Sequence, residues 1–192
     1  MARWQPDARL RLVSAALDLF AERGYENTTV IEIAERAGLT KSTFFRHFRD
    51  KREVLFGAGT MAGLLSGAIA AAPESATPLE AVAHAMDKVG EEVFTPQHRE
   101  FGARRRAVVD ANPELREREA LKGLSLIAAM AEALQKRGIP ELTARVAAEL
   151  GALAMKIAHE RWTWLPADAS YGEVARQTLA ELREVTAGWS VH

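Results

Sequence analysis

The chain has 192 residues, 48% of them hydrophobic, and a net charge of −1. That length suits one domain or two small ones, with apolar content enough for a packed core and no global polycationic character. It contains no cysteine, which excludes disulfides, Cys-ligated zinc and cysteine nucleophiles and fits a reducing, cytoplasmic setting. The opening MARWQPDARLR has no apolar run, so no secretory signal is expected. Charge is uneven along the chain. Residues 1–56 hold ten Lys and Arg against eight Asp and Glu, and the remainder holds fifteen against eighteen. Within 40–56 alone, five basic residues (Lys41, Arg46, Arg49, Lys51, Arg52) stand against two acidic ones (Asp50, Glu53), and a local basic patch, rather than overall charge, is what a sequence-specific nucleic-acid reader requires.

In chain order, Pro6 and Asp7 suit a helix start, and Leu10, Val13, Leu17 and Phe20 recur at helical spacing up to Gly24. Arg3, Arg9 and Arg11 are candidate phosphate contacts or plain surface basics. Thr29-Val-Ile-Glu32 is a capping box that predicts a second helix, which Gly38 ends. Leu39 and Thr40 make a tight turn into a third helix from Lys41 to about His47. Two short helices joined by such a turn outline a helix-turn-helix, whose second helix enters the major groove with its first residues aimed at base edges. Here those residues are Thr40, Lys41, Ser42 and Thr43, all able to hydrogen-bond. Lys41 suits guanine O6 and N7, and Thr43 offers a methyl to thymine or a hydroxyl to a base. Thr29 and the free N–H groups of its helix start suit a phosphate, as does Lys51 as a point charge.

Asp50-Lys-Arg-Glu53 predicts the cap of a fourth helix running through Ala72 and stopping before Pro73. Gly57, Gly59, Gly63 and Gly67 are costly inside a helix, by about 1 kcal/mol each against Ala, and are read as admitting close neighbours or a bend. Further helices are expected from Thr77-Pro78 to about Phe94, from Pro96 to Ala111, from Pro113 to Gly138, from Pro140 to near Pro166, and from Ser170 to Gly188, making about nine helices and no strand.

The run Thr28-Thr-Val-Ile-Glu-Ile-Ala-Glu-Arg-Ala37 and the following Gly38-Leu-Thr-Lys-Ser-Thr-Phe-Phe-Arg-His-Phe-Arg-Asp-Lys-Arg-Glu-Val-Leu55 closely resemble the tetracycline-repressor (TetR) family of transcriptional regulators. The resemblance implies an all-α homodimer. A three-helix DNA-binding domain would occupy residues 1–52, and a larger helical domain for ligand binding and dimerisation residues 53–192. Carried over from the family motif, Thr40, Lys41, Ser42, Thr43, Phe45, His47 and Lys51 take DNA-facing positions, with Phe44 and Phe48 as core anchors. Phe45 stands where the family usually has Tyr, so a phenol contact to phosphate is lost. Ser42 stands where Gly or Ala is common, which adds a hydroxyl near the bases.

In the second half, Met86, Phe94, Phe101, Met130, Met155, Trp162 and Trp164 are candidate walls of an effector pocket, since Met and aromatic side chains make adaptable apolar linings. Arg104-Arg105-Arg106 reads as a solvated run or as the counter-charge of an anionic effector. Leu142, Val146, Leu150, Leu153 and Ile157 form one apolar stripe, and Tyr171, Val174, Thr178, Leu182 and Val185 form another; together they predict a four-helix dimer seam. Glu80 and His84 share a helix face but lack further ligands for a metal, and no cofactor is expected. No G-x-S-x-G elbow or phosphate loop supports an enzyme. The competing reading is a helical adaptor or membrane-associated protein built on the charge-free run 54–72. The preferred reading is a cytoplasmic repressor that binds a palindromic DNA operator as a homodimer, is released by a small, mainly apolar effector, and has no membrane partner. The fourth helix would couple effector to DNA.

Overall fold

The structure, a computed structural model, describes residues 7–56, 60–166 and 168–188. Among the described residues there are ten helices and no strand: α1 (Ala8–Arg23), α2 (Val30–Arg36), α3 (Lys41–His47), α4 (Glu53–Phe56), α5 (Thr60–Ala71), α6 (Pro78–Glu92), α7 (Pro96–Ala111), α8 (Pro113–Lys136), α9 (Glu141–Trp164) and α10 (Tyr171–Ala187). The helix starts follow the caps in the sequence. Thr29 and Glu32, and again Thr77 and Glu80, form reciprocal capping boxes, Asp50 accepts the Glu53 N–H at 2.8 Å, and Ser170 accepts the Glu173 N–H. Gly24 and Gly38 close α1 and α2 with φ of 83° and 66°, a conformation that penalises any Cβ. The fourth helix expected over 53–72 is described as α4 and α5; Gly57 and Gly59, like Arg3, lie outside the described residues.

The chain forms two compact units. The first comprises the described residues of 1–59 together with 100–119, and the second those of 60–99 and 120–192. The boundary read from sequence, at 52/53, therefore differs from the partition of contacts. Val54, Leu55 and Phe56 are buried in the first unit, and Val108, Val109 and Leu115 join the same core, which α1, α2 and α3 supply with Leu12, Leu17, Phe20, Ile33, Phe44 and Phe48. A helical stripe announces that it will be buried, not which part of the chain will bury it.

In the second unit, α5, α6, α8, α9 and α10 pack Leu65, Ile69, Val82, Met86, Val89, Met130, Leu134 and Trp162 into one core. Residues 53–71 are long and apolar enough to cross a bilayer, yet Leu65, Ala68, Ile69 and Ala72 are spent on this core, as in an ordinary buried helix.

Two sets of glycines differ sharply. A Cβ on Gly90 of α6 would lie 2.8 Å from the Gly172 backbone nitrogen of α10, whereas Cβ atoms on Gly63 or Gly67 of α5 meet nothing within 4 Å. The close-neighbour reading of the α5 glycines is thus corrected: they face open space. Gly90→Ala should destabilise the fold by about 1–3 kcal/mol through overpacking against backbone that cannot yield. Gly67→Ala should instead stabilise it by up to about 1 kcal/mol through helix propensity. Thermal melts of the two variants should move in opposite directions; a fall for both would show that Gly67 has a close neighbour after all.

Candidate nucleic-acid interface

The reading helix α3 is held from beneath and open above. Phe44 and Phe48 are 0% and 2% exposed and pack with ring centroids 5.5 Å apart. One helical face away, Lys41, Ser42, Phe45 and Arg46 are exposed, at the i, i+4 spacing that puts 41 beside 45 and 42 beside 46. Lys41 Nζ lies 5.9 Å from the Phe45 ring centroid. Among the described residues neither Lys41 nor Arg46 is in an ion pair, so both charges are available to an incoming polyanion. Arg46 was missed by the sequence reading, although its i+4 relation to Ser42 was the available signal.

The remaining candidates are partly committed to the fold. Thr40 caps α3: its Oγ1 accepts the Thr43 N–H at 3.1 Å and lies 3.0 Å from Thr43 Oγ1. Thr29 Oγ1 donates to Glu32 at 2.8 Å and accepts the Glu32 N–H at 3.2 Å. These bonds from Thr29 hold the Glu32 carboxyl below its ordinary pKa, so a negative charge already stands at the α2 start where a phosphate was expected. His47 is half-buried, with Nε2 shielded and without a hydrogen-bond partner among the described residues. Arg11 Nη2 donates to the Ala37 carbonyl, a cation closing a helix C-terminus, and Arg9 lies 5.5 Å over the Phe48 ring.

Lys51 departs most from expectation. Its ammonium donates to the carbonyls of Tyr25 at 2.6 Å and Thr28 at 2.9 Å, and stands 4.1 Å from the centroid of the Tyr25 ring. Burial lowers the Lys51 pKa and pushes the Tyr25 phenol up to about 12. Rather than reaching outward as a point charge, Lys51 ties the α1–α2 connection to the start of α4. Thr28 tightens the same connection by donating to the Gly24 carbonyl at 2.9 Å.

Residues 12–58 match the family model of bacterial regulatory proteins of the tetR family. The reading head of this chain is thus of the tetR type. Among curated relatives, TcmR of Streptomyces glaucescens, an HTH-type transcriptional regulator, is 39% identical over 82 residues, which are 42% of this chain and 36% of that protein. HbdR of Aromatoleum sp. (strain CIB) is 38% identical over 50 residues, 26% of this chain and 22% of its own. The match thus spans well under half of these relatives. The fold extends the likeness to nearly the whole chain. A TetR-family regulator structure from Syntrophomonas wolfei aligns with a TM-score of 0.60 at 19% identity, covering 96% of this chain and 97% of that one. NalD of Pseudomonas aeruginosa, described as the secondary repressor of the MexAB-OprM multidrug efflux pump, aligns with a TM-score of 0.57 at 18% identity, covering 92% and 95%. All four are named as transcriptional regulators or repressors.

The effector candidates do not form one wall. Phe94, Met155 and Trp162 share a neighbourhood with Tyr171: Phe94 stacks on the Tyr171 ring at 3.9 Å, Trp162 meets both edge-on, and the Tyr171 hydroxyl donates to the Met155 carbonyl at 3.2 Å. Met86 and Met130 are fully buried near Gly151. Phe101 belongs to the first unit, and Trp164 is 90% exposed. The arginine run is partly exposed, and each member is ion-paired within the first unit. Arg104 pairs with Asp18, Arg105 with Glu119 at 2.7 Å, and Arg106 with Asp110 at 2.9 Å. Glu80 is spent on its capping box rather than on a metal.

Of the dimer candidates, Leu142, Val146 and Leu153 on α9 and Val185 on α10 are exposed, and Leu150 and Ile157 half-buried. Thr178 is corrected: it is 1% exposed, its hydroxyl donating to the Val174 carbonyl at 2.7 Å inside its own chain. Val174 and Leu182 likewise pack on the chain's own core. A concavity of about 800 Å³ runs between the starts of α6 and α9 and the body of α10, lined by Leu142, Val146, Leu150 and Leu179 together with Arg176 and Arg183.

Proposed function

We propose that the chain is a cytoplasmic repressor that binds a pseudo-palindromic operator as a homodimer and is released by a small, mainly apolar effector held in the second unit. The observation that carries this reading is the outward face of α3, where Lys41, Ser42, Phe45 and Arg46 stand exposed on a helix anchored by buried Phe44 and Phe48. The exposed α9 stripe supports the dimer, because a second copy would cover it and fill the adjoining groove. Two-fold protein symmetry would then be copied in the operator. The aromatic neighbourhood of Phe94 and Trp162 supports an effector region.

Fluorescence anisotropy with a duplex carrying the DNA upstream of the chain's own gene tests the reading. Binding that resists competitor DNA is expected, and its absence would sink the proposal. Lys41→Ala should cost about 1–3 kcal/mol of base discrimination per half-site. Unchanged discrimination would take Lys41 off the bases.

A further inference from the structure

We infer that Arg99 is the anchor for a carboxylate group on the effector, which makes that effector an organic acid with an apolar body; this rests on the effector reading above. The Arg99 guanidinium lies over Trp162, its central carbon 4.2 Å from the ring centroid. Nη1 donates to the carbonyls of Leu165 and Pro166, at 2.7 Å each. Nε and Nη2 are shielded from solvent and have no acceptor among the described residues.

These two nitrogens form the side-on edge of the guanidinium, whose parallel N–H groups match the two oxygens of a carboxylate. Burying donors of a cation without an acceptor is unfavourable, and the described residues supply no acceptor to these two nitrogens. Positions one helical turn away, Thr95, Pro96, Gly102 and Ala103, carry no carboxylate, and Arg99 is in no ion pair among the described residues. Every other cation from Arg104 to Arg106 has an acidic partner, so Arg99 stands out within its own helix.

The geometry also sets the manner of binding. Trp162 is held by its own Nε1–H, donated to the Ala169 carbonyl at 2.8 Å, so the platform beneath Arg99 is fixed. The side chain of Arg99 is only partly buried. A turn of its last torsions presents the side-on edge outward while the ring contact persists. Apolar surface is uncovered beside the anchored carbonyls, where Leu165 is 41% and Trp164 90% exposed, and the apolar body of the acid lies there. A carboxylate rather than a phosphate is favoured because a single planar fork is offered, with no second Lys or Arg on the Trp162 ring among the described residues.

Calorimetric titration of the full-length protein without DNA, using benzoate, 4-phenylbutyrate and octanoate against their primary amides, tests this. At least one acid should bind about tenfold or more tightly than its amide. Arg99→Gln should erase that preference, and Arg99→Lys, which keeps the charge but not the fork, should retain only part of it. No acid preference in the unmodified protein, or a preference that survives in folded Arg99→Gln, overturns the inference. If Arg99→Gln does not fold, the acid-to-amide ratio in Arg99→Lys decides: a ratio equal to that of the unmodified protein overturns it. Operator release is read separately. An acid that binds at Arg99 without releasing DNA leaves the carboxylate anchor standing and removes the effector reading, whereas release by a neutral compound with no acid binding does the reverse.

Discussion

Leu142→Glu combined with Val146→Glu should yield a folded monomer whose operator affinity is lower by about 10²–10⁴-fold, the usual gain from linking two half-site readers. Both side chains are largely in water in the single chain, 75% and 50% exposed, so the substitutions cost the protomer's own fold little. In a two-fold seam each would place carboxylates against apolar partner surface, where an unpaired charge is strongly disfavoured. Sedimentation should shift from twice 21.0 kDa to 21.0 kDa, with helical content and melting little changed. Leu150 and Leu182 are poorer sites for this experiment. Both are partly packed on the chain's own core, so charging them confuses dissociation with unfolding. An unmodified protein that sediments as a monomer at micromolar concentration, or a double variant that stays dimeric, would remove α9 from the interface.

The contrast between α9 and α10 shows what periodicity carries. Both stripes have helical spacing, and both were legible as buried faces. Leu142 and Val146 are left bare by their own chain, while Tyr171 and Thr178 are 2% and 1% exposed within it. Spacing specifies that a face is covered; only the packing of α6 against α10, at the Gly90–Gly172 approach, decides that α10 turns that face inward. Caps behaved differently. Thr29, Asp50, Thr77 and Ser170 act on neighbours three residues away, so their roles were readable without knowing the fold. Arg11, Lys51, Arg99 and Arg105 act on carbonyls 23 or more residues distant, and nothing local announced them. The same distinction explains the pocket: Met and aromatic residues signal apolar surroundings but not whether those surroundings are packed or open.

Long-range contacts also revise how the reading head is tied to the rest of the chain. The fourth helix was expected to be the sole covalent continuation of the reading motif. The first unit instead includes residues 100–119, so the chain passes between the units at 59/60, 99/100 and 119/120. Within that unit Arg105 Nε donates to the Leu55 carbonyl at 2.6 Å and its guanidinium lies 5.0 Å from the centroid of the Phe56 ring, while Arg52 pairs with Glu114 at 3.0 Å. Exposed pairs of this kind contribute little individually, about 0–1 kcal/mol. Buried Val109 and Leu115 make α7 and α8 part of the head's core.

Lys51→Met should weaken operator binding by about tenfold or more while leaving its salt dependence unchanged. The substitution keeps most of the apolar stem and removes the ammonium, so the Tyr25 and Thr28 carbonyls lose their donor. Hydrogen bonds to a charged group contribute about 1.5–3 kcal/mol each, and the contact with the Tyr25 ring adds about 0.5–1 kcal/mol or more. What is loosened is the connection that delivers the chain into Thr29 and α2, and through α2 the angle at which α3 is presented. A positioning role lowers affinity without altering the number of phosphates neutralised. A phosphate contact would behave otherwise: each lost contact reduces the slope of log affinity against log salt by about one unit, hence about two for a dimer with two half-sites. Amide hydrogen exchange supplies the independent readout, with protection at residues 25–28 expected to fall in Lys51→Met while that of α9 persists. A salt slope reduced by about two units with exchange at 25–28 unchanged would return Lys51 to the phosphates and leave the α1–α2 connection to be held by Thr28 alone.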